Sequence, residues 1–223
     1  MFENLEIKFE MAAPVAVMEY LYFDSILAAA VLKEKMGDDY FDIKPKEKDL
    51  KNIDLPLDNK FDVWCASIGF GENREFIGSW CKRWDNKNDD IVKFSENVKN
   101  RIDIAMGYFK GYHMPIVLKA FKEIHFYARG EYCEIERLLK NHVHYVGKKA
   151  SQGYGEIKNI TINRIDEDRS IFFNKKPMRP IPVESCKDYI DIAAKDKIKL
   201  NIMIHPIKPP YWRTDCMEYC FMP

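Results

Sequence analysis

Twice in this chain a stretch with the two-residue period of a half-buried strand leads into a stretch with helical spacing, and that order constrains the fold more than any other feature. Leu5-Glu-Ile-Lys-Phe-Glu-Met11 alternates apolar and charged side chains, the pattern of a strand with one face buried in an antiparallel sheet. Ala13-Pro14 breaks it. Asp24 or Ser25 then caps a helix through Met36, with Ile26, Leu27, Ala30 and Val31 on one stripe and Gly37 just past its end. Glu123-Ile-His-Phe-Tyr-Ala-Arg129 alternates in the same way and ends at Gly130. The helix after it places Tyr132, Ile135, Leu138, Leu139 and His142 at helical spacing.

This second helical pattern runs into a glycine-rich loop, His144 to Ile157, which precedes a β-branched strand pattern from Ile157 to Ile165. Gly147, Gly153 and Gly155 permit positive φ and let backbone N–H groups approach an anion. Lys148 and Lys149 supply charge, Ser151 and Gln152 hydrogen bonds, and Tyr154 a flat face for a base. The loop lacks the G-x-x-x-x-G-K-[ST] string of a nucleotide-binding loop. Because a helix ends at it, the lysines must supply the attraction that a helix N-terminus supplies in such loops.

The 223 residues, 47% hydrophobic and 31% charged, suit a soluble globular protein, and 35 basic residues balance 35 acidic ones. Binding to a polyanion must therefore come from a local patch. Between residues 137 and 164 stand Arg137, Lys140, Lys148, Lys149, Lys158 and Arg164 against the single acid Glu156, and Lys175-Lys-Pro-Met-Arg179 follows. The six cysteines show no metal-ligand spacing and read as reduced thiols of a cytoplasmic protein. No apolar run is long enough to cross a bilayer.

Elsewhere the patterns are weaker. Residues 38–59 are charged, with Pro45 and Pro56, and read as an exposed excursion or hairpin. Phe61 to Gly69 reads as a strand. Trp80-Cys-Lys-Arg-Trp84 interleaves aromatic rings with cations, which suits either nucleic-acid contact or cation–π packing at a core edge. Asp85 to Asn100 is polar and turn-like, and Tyr108, Phe109, Lys110, Tyr112 and His113 cluster after it. Ser170 to Phe173 forms a strand after a turn at 166–168. The proline-punctuated C-terminal third disfavours regular helix and holds one clear strand, Lys197 to Ile204.

Laid out in this order, the chain resembles the RAMP proteins of CRISPR systems. More narrowly, Met11-Ala-Ala-Pro14 followed by Phe23-Asp-Ser-Ile-Leu-Ala-Ala29, Phe126-Tyr-Ala-Arg-Gly130, the glycine loop, Arg179-Pro-Ile-Pro182 and Pro209-Pro-Tyr-Trp212 resemble the Cas-five-like subunit of type IV systems. The resemblance implies an α+β fold with a ferredoxin-like (RRM-like) βαββαβ core over residues 1–165. The excursion at about 38–60 departs from the simplest form of that plan and reads as a thumb-like insertion, and a β-rich C-terminal extension follows over 166–223. The resemblance implies a non-catalytic subunit, without cofactor, metal or membrane, that grips the repeat-derived 5′ end of a CRISPR RNA. Such a subunit caps a ribonucleoprotein made with helical backbone (Cas-seven-like) and large subunits.

Carried onto this sequence, Gly147, Lys148, Lys149, Ser151, Gln152, Gly153, Tyr154 and Gly155 lie against RNA. The second basic run adds Lys175, Lys176 and Arg179. Several RAMP relatives are metal-independent repeat-processing endoribonucleases, and His142, His144, Tyr112 and His113 are this chain's candidates for that chemistry. Against it, His142 continues the apolar stripe of its helix, the first helix has no histidine, and His125 sits inside an alternating strand. A stand-alone enzyme acting on a phosphate ligand is a third reading.

Overall fold

The computed structural model describes residues 1–42, 53–93 and 102–223. β1 (Glu3–Met11) turns Leu5, Ile7 and Phe9 inward, all fully buried, while Glu6 and Lys8 between them stay half-exposed. After β2 (Val15–Ala16) comes α1 (Phe23–Met36), which ends at Gly37 with φ 53°. Tyr22, not Asp24 or Ser25, occupies the helix cap, and no side chain caps it. Asp24 is instead wholly buried.

Beyond the single turn α2 (Asp39–Asp42), part of the expected insertion, residues 43–52, lies outside the described residues. At its far end Leu55 and Leu57 are buried in the main core, and Leu57 bridges Gly130. The expected strand over 61–69 is broken into a short hairpin, β3 (Asn59–Lys60) with β4 (Val63–Trp64), and a segment held by isolated bridges. A long antiparallel hairpin follows, β5 (Asn73–Lys82) with β6 (Tyr112–Phe121).

β7 (Glu123–Gly130), α3 (Tyr132–His142) and β8 (Ile157–Arg164) complete the centre. The sheet order is β7-β1-β8, and both pairings are antiparallel. Residues 65–70 run antiparallel along the outer edge of β7, through bridges Ala66 to Ala128 and Phe70 to His125. α1 packs against α3, and both cover the face from which Leu5, Ile7, Phe9, Ile124 and Phe126 point. The Phe126 ring lies 5.1 Å from that of Phe9 and 5.4 Å from that of Phe23. Burying each such side chain contributes about 1.5–3 kcal/mol, and the shared core joins both helices to the sheet. The opposite face bears Glu6, Lys8, Glu123, His125 and Tyr127, joined by pairs such as Lys8 with Glu123 at 3.3 Å and His125 with Glu6 at 3.1 Å.

The C-terminal part contains β9 (Phe172–Phe173), β10 (Lys176–Pro177), β11 (Ile181–Pro182), α4 (Asp188–Lys195), β12 (Ile202–Pro206) and β13 (Met217–Phe221). α4 corrects the expectation that prolines exclude helix here: residues 183–195 contain none, and Tyr189 and Ala193 anchor one helical face. The strand expected over 197–204 begins only at Ile202. β11-β13-β12 form one sheet, and Ile181, Ile207, Cys220 and Met222 make a second apolar cluster with Val63 and Cys65.

Candidate nucleic-acid interface

The glycine loop is laced to the start of the chain. Val146 is buried and its N–H donates to the Gly155 carbonyl at 2.9 Å. The Gly155 N–H donates to Pro14 O at 2.8 Å, and the Lys148 N–H to Ala16 O at 2.8 Å. Gly155 has φ 72°, and a Cβ there would lie 1.8 Å from the Val146 carbonyl oxygen, so only glycine closes this loop. A Cβ on Gly147, at φ 81°, would lie 2.8 Å from Ala16 O. Gly153, at φ 83°, would place a Cβ in open space. Two glycines therefore serve the packing, while the third leaves surface uncovered. Lys148, Ser151 and Gln152 are exposed and Tyr154 is half-buried.

β2 brings this loop to the hairpin. Ala16 pairs with Leu118 on β6 and also bridges Lys148, so it lies between the two elements. Lys149, itself left-handed at φ 64°, sets its ammonium 3.0 Å from the centre of the Trp80 ring on β5. Tyr112 meets Trp80 edge-on at 4.7 Å. In the hairpin register Phe76 is opposite Leu118, Trp80 opposite Met114 and Lys82 opposite Tyr112, which puts these residues on one face. Phe76 and Met114 are exposed on it. Gly78 interrupts the row because a Cβ there would come within 2.8 Å of Leu118 Cδ1. At the hairpin's far end Lys82 Nζ donates to Tyr108 O at 2.8 Å.

The charge of the basic patch is mostly compensated. Arg137 binds Glu34 and Glu134, each at 2.7 Å, Lys140 binds Glu136 at 2.8 Å, and Lys158 binds Glu10 at 2.5 Å. Arg164 binds Glu3. Hydrogen bonds to Glu134 and Glu34 hold the Arg137 guanidinium well above its ordinary pKa. Lys148 and Lys149 have no carboxylate partner among the described residues. Within this patch the cations left to a polyanion are thus those of the loop.

The other candidates lie apart from this arrangement. Lys175 pairs with Asp196 at 2.8 Å, and Lys176 is exposed on β10. Arg179 is completely buried, which corrects the expectation of an RNA contact there. Its guanidinium donates to Asp24 at 3.1 Å, to Tyr211 Oη at 2.6 Å and to the carbonyls of Trp64, Ala66 and Ile207. Tyr211 in turn donates to Asp24 at 2.6 Å. Residues from Phe23-Asp-Ser, Arg179-Pro-Ile-Pro and Pro-Pro-Tyr-Trp212 thereby meet in one internal network that ties the C-terminal part to α1.

His142 is half-buried at the end of α3, where its carbonyl accepts from Lys33 Nζ at 2.9 Å. His144 is exposed, and His113 lies exposed on β6 opposite Cys81. Among the described residues, no hydrogen bond, ion pair or ring contact joins either of the first two histidines to Tyr112 or His113. No group of three His, Cys, Asp or Glu residues among them is placed to hold a metal ion. No helix among them is long and apolar enough to cross a membrane. Periodicity did not reveal the hairpin face; the Trp80 to Trp84 pentad was its one sequence signal. A family model described as CRISPR type IV associated protein Csf3 matches residues 3–223. No curated protein matches the sequence.

Proposed function

The chain belongs to the Csf3 family of CRISPR type IV associated proteins, and from that premise we propose that it is a non-catalytic, RNA-holding subunit. It grips the repeat-derived 5′ end of a CRISPR RNA and caps a ribonucleoprotein that includes helical backbone (Cas-seven-like) and large subunits. The strand order β8-β1-β7, with residues 65–70 beside β7 and two helices on one face, is the order of a ferredoxin-like core and supports the RAMP reading.

The observation that carries the proposal is the junction of loop and hairpin at Lys149 and Trp80. It puts two lysines free of carboxylates beside a row of rings. A single RNA strand needs both: cations for its phosphates and flat faces for its bases. Gly153 has open space beside it, and the exposed side chains of Ser151 and Gln152 next to it can hydrogen-bond a phosphate. The open sheet face is less suited, because Glu6, Glu10 and Glu123 set carboxylates along it, and these repel phosphate. Lys8 and Lys158 there are already paired.

The test is co-expression with the neighbouring genes and a repeat array, followed by purification of this chain. A discrete small RNA that begins in repeat sequence is the expected companion. Purified protein that cleaves repeat RNA without metal, and loses this on replacement of His142 or His144, would establish the endoribonuclease reading instead.

A further inference from the structure

We propose that the cleft between α1, α3 and residues 54–57 docks a basic segment of a neighbouring protein subunit, with an apolar side chain on the cleft floor and Lys or Arg at its rim. This rests on the reading above that the chain works inside a multi-subunit assembly. The cleft has a volume of about 600 Å³. Its floor is apolar, formed by Val31, Leu55, Leu57 and Leu138, and the Phe2 ring, 40% exposed, stands at its side.

The rim is acidic. Glu34, Asp54, Glu131 and Glu134 line it against one cation, Lys35. Arg137 pairs with both Glu34 and Glu134, one charge against two, and in doing so ties α1 to α3. Asp54 and Glu131 have no cationic partner among the described residues, and Glu131, at the start of α3, makes no capping hydrogen bond with its side chain. Two carboxylates without a cationic partner among the described residues, set above an apolar floor, attract a cationic peptide and repel an RNA strand, so charge complementarity selects protein.

The wall is also preformed. Pro56 O accepts the Glu131 N–H at 2.9 Å, the Asp58 N–H donates to Arg129 O at 2.8 Å, and a Cβ on Gly130 would lie 2.3 Å from Pro56 O. Segment 54–58 is therefore fixed against the end of β7, and little ordering is needed on binding. The cleft opens at the N-terminal end of α3, whereas the glycine loop follows its C-terminal end. Glu131 on the rim precedes this 11-residue helix and the loop follows it, about 16 Å away along its axis, so one subunit can hold RNA and protein at once.

The test uses the full chain co-expressed with the other subunits of its complex and a repeat array. Asp54→Lys with Glu131→Lys should lower incorporation of this chain about tenfold or more, while the isolated variant binds repeat RNA at least as tightly as the unmutated chain. The milder pair Asp54→Asn with Glu131→Gln should fall between and controls for folding. A photo-cross-linking residue placed at position 2 should join to a Lys- or Arg-bearing segment of another subunit. Undiminished incorporation of the charge-reversed chain, or cross-linking of position 2 to RNA, overturns the site. An unmutated chain that binds no RNA and enters no complex fails the proposed function itself, a result told apart by the RNA measurement.

Discussion

The ammonium of Lys149 lies 3.0 Å from the centre of the Trp80 ring and thereby joins the glycine loop to the hairpin. Both side chains are half-buried, where a cation–π pair is worth about 0.5–2 kcal/mol. A double-mutant cycle of Lys149→Met and Trp80→Leu, read by urea unfolding, should return a coupling of that size. A coupling indistinguishable from zero would mean that the two elements merely lie side by side.

Two glycines of one loop should respond differently to the same substitution. Gly155→Ala sets a Cβ 1.8 Å from Val146 O, and relief of that clash breaks the backbone bonds that close the loop. A loss of at least about 2–3 kcal/mol is expected. Gly153→Ala meets open space and bears only the left-handed strain, about 1–2 kcal/mol. Gly153→Val should leave a folded protein whose RNA affinity falls, because the side chain covers the open surface. Equal unfolding midpoints for Gly155→Ala and Gly153→Ala would contradict this division.

Arg179→Ala should destabilise by about 3–5 kcal/mol, since it leaves Asp24 buried without its cation. Lys158→Ala removes an exposed pair and should cost under about 1 kcal/mol. Urea titration of both variants gives the comparison, and an Arg179→Ala chain as stable as the parent would remove the network from the account.

The thiols should divide by burial. Burial, followed by the nearby Asp58 carboxylate, pushes Cys65 up to about 11, and burial with Glu218 does the same for Cys220. Cys81 and Cys133 are exposed. Alkylation of the native protein at pH 8 should modify the exposed pair first and the buried pair only after unfolding. Because the folded-state pKa is raised, the stability that these thiols contribute is complete below the ordinary thiol range and is lost as pH climbs toward 11. Rapid native labelling of Cys65 would place it at a surface.

How much of this was legible in the sequence follows from burial. β1 and β7 each bury one face, so Leu5, Ile7 and Phe9, and Ile124 and Phe126, wrote a two-residue period that could be read directly. β5 has no fully buried residue, and Asn73 to Lys82 therefore shows no such period. Pro115 within β6 further masked its partner. Compensation of the patch was hidden for another reason: Arg164 meets Glu3 and Lys158 meets Glu10, acids on a strand at the other end of the chain, which no local count of charges includes. Arg179 reads as surface beside Lys175 and Lys176 until Tyr211 and Asp24 are folded around it. The glycines and lysines of the loop were visible from the start, but their partner ring was not.

On the proposed function, RNA is held by the loop and hairpin and not by the basic patch as a whole. The most direct measurement of this is the affinity of the purified chain for a single-stranded repeat RNA, titrated against salt. With two free lysines and a few neighbours engaging about two to four phosphates, the log–log slope should be roughly −1.5 to −3. At fixed salt, Lys148→Ala with Lys149→Ala, and separately Trp80→Ala, should weaken binding by about 1–3 kcal/mol, while Lys140→Ala with Lys158→Ala leaves it unchanged. Loss of affinity with the second lysine pair, and none with the first or with Trp80→Ala, would contradict the account.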